Sequence, residues 1–234
     1  MKKLRIDVWS DIACPWCLVG KRRLEAALAQ FLRRDAVEVV WRSFELDPSA
    51  PRERDRSVSH AERLAKKYGS SVAMAEARLV AMTLAARRDG VHFRFDRIRS
   101  GNTFDAHRLL HLARERGVDD AVKERFLRAY LEEGAPIGEP ATLVRLAAEA
   151  GLDEEEARAV LASDAHAAAV RADEEKAAAL GIEGVPFFVF DGRYAVSGAQ
   201  PVEVLLGALN RAWEESEAPA RHAEGATCGP EGCV

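Results

Sequence analysis

Residues 10–20 read Ser10-Asp11-Ile12-Ala13-Cys14-Pro15-Trp16-Cys17-Leu18-Val19-Gly20 and set two of the chain's four cysteines on either side of a Pro-Trp pair. Upstream, Leu4, Ile6 and Val8 alternate with Arg5 and Asp7, the period-two pattern of a half-buried strand. Downstream, Leu24, Ala27, Leu28 and Phe31 recur at helical spacing through residues 21–33. A second strand is expected over residues 37–46, rich in Val, Trp and Phe and stopped by Asp47-Pro48. The cysteine pair therefore stands at a strand-to-helix junction within a βαβ unit.

From about residue 51 the period changes to helical. Ser59-His60-Ala61-Glu62 reads as a capping box and Gly69 as the stop of that helix. Further helices are expected to end near Gly90, Gly117, Gly134, Gly151 and Gly181, with Thr103, Asp120, Asp153 and Ser163 as N-caps. Strand character returns in residues 186–190 and 193–197 around a two-residue Asp191-Gly192 turn, followed by a helix over residues 201–215. The expected organisation is a discontinuous domain of residues 1–50 and 181–217, a helical insertion of residues 51–180, and a tail of residues 218–234.

Bulk properties narrow the function classes. The 234 residues are 48% hydrophobic and 31% charged, the balance of a globular chain, and a net charge of -4 leaves no basic excess for nucleic acid or an anionic membrane. No secretory core or membrane-length apolar run is visible, so a cytoplasmic setting is expected, where closely spaced cysteines serve catalysis or metal binding more often than structure.

A dithiol centre needs a nucleophilic thiolate and a second thiol able to resolve the mixed disulfide. Cys14 falls at the helix N-terminus, where free amides and the positive dipole end favour a thiolate, and Pro15 fits the first turn because its missing N–H is not needed there. Cys17 follows one turn later, so Cys14 is the expected nucleophile and Cys17 the resolving thiol. The competing reading is a zinc half-site, which would need Cys228 and Cys233 as its other ligands. Val185-Pro186 precedes the hairpin, and a proline at a strand start marks an edge or a special turn.

The order βαβ, helical insertion, ββα, with CxxC at the first junction, is the thioredoxin arrangement. The chain resembles the DsbA-family thiol-disulfide oxidoreductases of thioredoxin fold, and within them the FrnE-like subgroup. The resemblance rests on IDVWSDIACPWCLVGKRRLE (6–25), WRSFELDP (41–48), GNTFDAHRLLHLA (101–113) and GIEGVPFFVFDGRYAVSGAQP (181–201). It implies disulfide reductase or isomerase chemistry through Cys14 and Cys17, supported by Pro15, Trp16 and a cis Val185-Pro186 loop that offers backbone to a substrate peptide. It also implies protein or small-molecule disulfides as substrates and glutathione, another thiol or a thioredoxin-type system as reductant. No cofactor beyond the redox-active disulfides is expected, and a role in oxidative stress fits this chemistry. Glutathione transferases of the kappa type share the architecture but are built around a serine. A rival of another class is a zinc-stabilised module or peptide-holding chaperone.

Asn102, Phe104 and His107 match the subgroup's insertion motif and are candidates to face substrate, against the plainer reading that they cap and pack a helix. His107 and His111 are four apart, but Arg108 stands where a metalloprotease motif has Glu. In the tail, Cys228 and Cys233 flank Gly-Pro-Glu-Gly, a sequence suited to a tight turn. A linker of about ten residues has a typical span of roughly 17 Å, so an electron relay to Cys14-Cys17 is one expectation, beside a metal clasp or idle thiols.

Overall fold

The computed structural model describes residues 3–55 and 57–217. The alternating segment forms β1 (Leu4–Ser10), which pairs in parallel with β2 (Val37–Ser43) from Leu4 against Val37 to Ser10 against Ser43. β3 (Phe187–Phe190) runs antiparallel along the other side of β1, and β4 (Tyr194–Ser197) completes the order β2-β1-β3-β4. Helix α1 (Pro15–Gln30) joins β1 to β2. Between β2 and β3 come α2 (His60–Tyr68), α3 (Val72–Ala86), α4 (Phe104–Glu115), α5 (Asp119–Arg128), α6 (Pro140–Glu149), α7 (Glu154–Leu161) and α8 (Ala167–Ala179), and α9 (Val202–Glu217) follows β4. This is the expected thioredoxin fold with a large helical insertion. Among the described residues no helix is long and apolar enough to cross a membrane.

The expected half-burial of β1 is corrected by the packing. Leu4, Ile6 and Val8 meet Leu24 and Ala27 of α1 and Leu205 and Leu209 of α9 on one face. The other face is covered by α8, where Trp9 packs with Ala177 and Ile182. The polar alternation survives because that second face is tied by charge: Arg42 donates to Asp7 and to Asp173, both at 2.7 Å, and Trp9 Nε1 donates to the Asp173 carbonyl at 2.9 Å. β2 ends at Ser43 rather than residue 46, because β1 offers no partner beyond Ser10. The following amides turn to carboxylates instead, Leu46 N donating to Asp11 Oδ2 at 2.8 Å and Glu45 N to Glu174 at 3.3 Å.

The turn residues Asp191 and Gly192 both take positive φ, 51° and 69°, as a type I′ geometry requires. Phe190 nevertheless pairs with Tyr194, so the loop holds three residues and Arg193 lies outside β4. The Ser59 capping box forms as read, with Gly69 left-handed at the end of α2, and Asp153 caps α7 through Glu156 N at 2.9 Å. Three other caps are displaced by tertiary partners. Thr103 makes no side-chain cap bond, since Asn102 Oδ1 takes the Phe104 amide at 2.8 Å. Asp120 lies inside α5 and binds Lys21 and Trp41 Nε1, each at 3.1 Å. Ser163 bonds back to the Ala159 carbonyl at 2.9 Å, and α8 starts only after His166.

Two cores meet along α1. At its start Cys14, Cys17, Leu18 and Val19 belong to an apolar cluster shared with α4, α5, α6 and α7, while Leu24 and Ala27 belong to the sheet core. The helix that carries the cysteines thus binds the insertion to the sheet. Helices α2 and α3 form a smaller cluster around Ala61, Ala65, Ala75 and Leu79, and they front the N-terminus of α1.

Candidate active site

Pro15 occupies the first position of α1, which leaves Cys14 as N-cap with extended backbone, φ −91° and ψ 114°. Pro15 has no N–H to place there, and the Cys17 amide closes the first turn on the Cys14 carbonyl at 3.0 Å. The Cys14 side chain makes no cap bond and instead donates its Sγ–H to the Val185 carbonyl at 3.3 Å. The Val185-Pro186 bond is cis, and the Gly198 amide holds the Pro186 carbonyl at 2.8 Å. The sequence-predicted loop therefore faces the sequence-predicted cysteine.

Close approach of α1 to this loop depends on Gly20. A Cβ there would lie 2.8 Å from Pro186 Cγ and 3.2 Å from Phe188 Cζ, well inside ordinary contact. One turn earlier, Cys17 is 1% exposed, Cys14 is 5% exposed, and Trp16 projects at 36%. Cys14, Pro15, Trp16 and Val185 line a groove of about 1170 Å³, whose opposite wall is α2 and α3 with Leu64, Leu79 and Met82. Cys14 presents its sulfur to that groove, and Cys17 is packed behind it.

Beneath the pair lies a buried polar set. Asp11, 1% exposed, accepts from the Ala13 amide at 3.2 Å and the Leu46 amide at 2.8 Å, and His107 Nε2 donates to it at 3.4 Å. Burial alone would raise the Asp11 pKa, but the His107 bond and charge and the two amides outweigh it and leave the carboxyl below its usual range. Lys123, from α5, is fully buried and donates to the Ser10 carbonyl at 3.3 Å. Burial pulls its pKa down to about 8, against the attraction of Cys17, Asp11 and Cys14. The Cys17 thiol is pushed well above its ordinary value by burial first and by the neighbouring Cys14, with Lys123 pulling the other way.

The insertion residues singled out from the sequence turn away from this groove. His107 is fully buried, so it faces the Asp11 carboxylate and not a substrate, and burial lowers its pKa. Asn102 caps α4 and donates through Nδ2 to Glu45 at 3.3 Å. Phe104 lies under the Arg171 guanidinium, 4.3 Å from the ring centroid. Their neighbours Gly101 and Thr103 line the groove instead. His107 and His111 diverge, since His111 Nε2 meets Ser43 Oγ at 3.2 Å and Asp173 at 3.3 Å. Cys228 and Cys233, with the relay and the zinc reading that depend on them, lie outside the described residues. Among the described residues no group of three His, Cys, Asp or Glu side chains is placed to hold a metal.

Sequence reasoning passed over Asp11, Gly20 and Lys123. Lys123 carried a signal: with Val122, Phe126 and Leu127 it sits on the buried face of α5, where a lysine is out of place unless it does something. Asp11 and Gly20 carried none apart from their closeness to the cysteines.

Comparison with known proteins agrees with this geometry. The model of the DSBA-like thioredoxin domain matches residues 5–210. The crystal structure of a probable DsbA oxidoreductase from Streptomyces coelicolor is 48% identical, with a TM-score of 0.87 over 99% of this chain and 98% of that one. An uncharacterised protein of Bacillus subtilis, YwbO, is 29% identical over 88% of this chain and 96% of its own. The cytosolic disulfide reductase DsbM from Pseudomonas aeruginosa, solved with glutathione, shares the fold at 20% identity and a TM-score of 0.56, over 91% of this chain and 98% of that one. The chain belongs to the family of DSBA-like thioredoxin domains, the thiol-disulfide oxidoreductases and isomerases of this fold.

Proposed function

We propose that Cys14 and Cys17 form the reacting dithiol of a disulfide reductase or isomerase. The observation that carries this reading is the placement of Cys14 Sγ on the groove, 3.3 Å from the Val185 carbonyl, with Cys17 buried behind it. Attack by the Cys14 thiolate on a substrate disulfide forms the Cys14–substrate bond and expels one substrate thiolate, which takes up a proton. Cys17, once deprotonated, attacks Cys14, forms the Cys14–Cys17 disulfide and releases the second substrate thiol. Two electrons have then passed to the substrate, and two equivalents of a thiol reductant return them. In an isomerase cycle the released substrate thiolate attacks another disulfide of the same substrate, and the thiolate expelled there attacks the substrate sulfur of the mixed disulfide, forming a new substrate disulfide and freeing Cys14.

The surrounding groups suit these steps. Lys123 is a buried cation coupled to both sulfurs, so it favours the thiolate that develops on Cys17. The Val185 carbonyl now accepts the Cys14 thiol, and a disulfide at Cys14 frees it for a substrate amide in strand-like pairing. We carry glutathione as reductant and a cytoplasmic setting into this reading by analogy with the cytosolic reductase DsbM, and the FrnE-like subgroup with an oxidative-stress role from the sequence resemblance. The tail pair Cys228 and Cys233 would relay electrons to this centre. Reduction of a protein disulfide by glutathione tests the core of the proposal. Cys14→Ser should abolish turnover, and Cys17→Ser should abolish it while trapping a mixed disulfide on Cys14 that mass spectrometry locates. Unchanged turnover in Cys14→Ser, or an adduct on another cysteine, would overturn it.

A further inference from the structure

Behind α2 a second cavity of about 800 Å³ adjoins the groove, and Arg54, His60, Arg63, Leu79 and Ser100 line both. Three buried nitrogens of its lining residues have no hydrogen-bond partner among the described residues: His60 Nδ1, Arg63 Nε and Arg99 Nε. Buried polar atoms of that kind are uncommon in folded proteins, and the three cluster on the lining residues of one cavity. The cations differ in what they already hold. Arg99 binds Glu53 at 3.3 Å and Glu139 at 2.7 Å, and Arg54 binds Asp47. Arg63 makes no ion pair among the described residues and donates only to the backbone carbonyls of Asp55 and Val58. Its charge is therefore uncommitted at the point where cavity and groove join.

Four acids share the cavity lining, and none pairs with Arg63: Glu53 meets Arg99 at 3.3 Å, Asp55 is turned to the Ser57 amide at 2.8 Å, Asp96 to Arg94 at 2.8 Å, and Glu76 makes no ion pair among the described residues. On the groove side Glu62 is turned to the Ser59 amide at 2.6 Å. Lys66 and Arg78 extend the cationic side along the groove, and neither makes an ion pair among the described residues. The groove itself, at about 1170 Å³, exceeds the usual room of a small-molecule site and runs past the Val185 carbonyl, which suits an extended chain.

We propose that this cavity is a carboxylate subsite and that Arg63 selects disulfide-bonded peptides carrying Glu or Asp a few residues from the reacting cysteine. The assignment rests on the exchange reading of Cys14, because the peptide reaches Arg63 while its cysteine sits at that sulfur. Asp55, Glu62, Arg54, Tyr130 and His60 are charged or titratable groups that face Arg63, and none occupies its Nε. His60, stacked on Phe95 at 5.7 Å, reports the same pocket: burial and the Arg63 charge hold its pKa at about 4, and a bound carboxylate raises it.

The test compares cystine-linked peptides that differ only in Glu, Gln or Lys near the cysteine, with the full chain as enzyme. Wild type should favour Glu over Gln by about fivefold in kcat/KM, mostly through KM, and 0.5 M salt should compress the ratio. In Arg63→Gln the ratio should fall to about one, and Arg63→Lys should retain part of it. The His60 ring signal should titrate at higher pH when a Cys14-linked Glu peptide is bound, and not with the Gln peptide. Equal rates for Glu and Gln on wild type, an unaltered ratio in Arg63→Gln, or an unmoved His60 would overturn the subsite. Arg63 dependence seen with glutathione disulfide but with no peptide would overturn the peptide assignment. Turnover of the Gln peptide by wild type, lost in Cys14→Ser, keeps the exchange reading separate from either result.

Discussion

Replacing Lys123 with Met isolates the energetic oddity of the site. Two lysines among the described residues are almost wholly buried, and they are treated differently. Lys21, 2% exposed, meets Glu25, Asp120 at 3.1 Å and Glu124 at 3.5 Å, and those carboxylates raise its pKa although burial opposes them. Lys123 has one hydrogen bond to a backbone carbonyl and no ion pair among the described residues, so burial wins and its pKa drops from 10.5 to about 8. At about 1.4 kcal/mol for each tenfold change, holding the protonated lysine in the fold costs about 3 kcal/mol. Below pH 8 both folded and unfolded chains carry the proton and the cost is present in full. Between about 8 and 10.5 the unfolded chain binds more protons, so stability rises with pH, and above that window the cost is gone. Met fills a similar volume without charge and forfeits about 1 kcal/mol for the hydrogen bond to Ser10. Lys123→Met should therefore be about 2 kcal/mol more stable than its parent at pH 7, with the gap closing above pH 8. Urea unfolding from pH 7 to 10 measures this, in a Cys14→Ser, Cys17→Ser background where no active-site thiol titrates. In the dithiol protein the same change removes the cation that favours the thiolate developing on Cys17, so release of the substrate from the mixed disulfide should slow. A variant that is less stable at pH 7, or a stability gap independent of pH, would refute the reasoning.

Gly20→Ala should destabilise by about 1–3 kcal/mol, although alanine in a helix ordinarily gains about 1 kcal/mol, because the new Cβ meets Pro186 at 2.8 Å. Thermal unfolding gives the sign, and a stabilised variant would mean that the loop moves aside freely. Asp11→Asn should lose about 2 kcal/mol at pH 7 in urea, since the amide cannot serve the Ala13 and Leu46 N–H groups and His107 as a carboxylate does. Because the folded pKa of Asp11 is depressed, that gap should be full above pH 4 and shrink as pH falls through the lowered value, and a constant gap in acid would contradict the assignment.

What could be read from the chain was local. The CxxC junction, the Val185-Pro186 loop, the Ser59 capping box and the Asp191-Gly192 turn each declare themselves through a few adjacent residues whose backbone needs are distinctive. The misread features depend on residues far away in sequence. Thr103, Asp120 and Ser163 have the chemistry of N-caps, but Asn102, Lys21 and the Ala159 carbonyl offer partners that local pattern does not reveal. β1 looked half-buried because Arg5 and Asp7 interrupt it, yet Asp7 is 7% exposed once Arg42 from β2 comes across to it. His107, a candidate to face substrate or to pack its helix, proved fully buried in α4, where Asp11 gives its Nε2 a partner inside the core.

The arrangement separates the reacting sulfurs from what adjusts them. Cys14 and Cys17 come from the first strand-to-helix junction and Val185 from the approach to β3, all parts of the sheet unit. Lys123 comes from α5, His107 from α4 and the facing wall of the groove from α2 and α3, all parts of the insertion. Two of the ties between the two reach the segment just before the cysteines, Lys123 on the Ser10 carbonyl and His107 on Asp11, while others, such as Arg42 and Trp9 on Asp173, hold the sheet elsewhere. A lysine needed only to join helix to sheet would be paired, as Lys21 is. Lys123 is left without a counterion directly behind the thiols, where its unspent charge acts on whichever sulfur becomes a thiolate. A buried charge that burial disfavours thus coincides with the place where charge develops in the proposed reaction, which is the pattern expected of a group kept for chemistry rather than for stability.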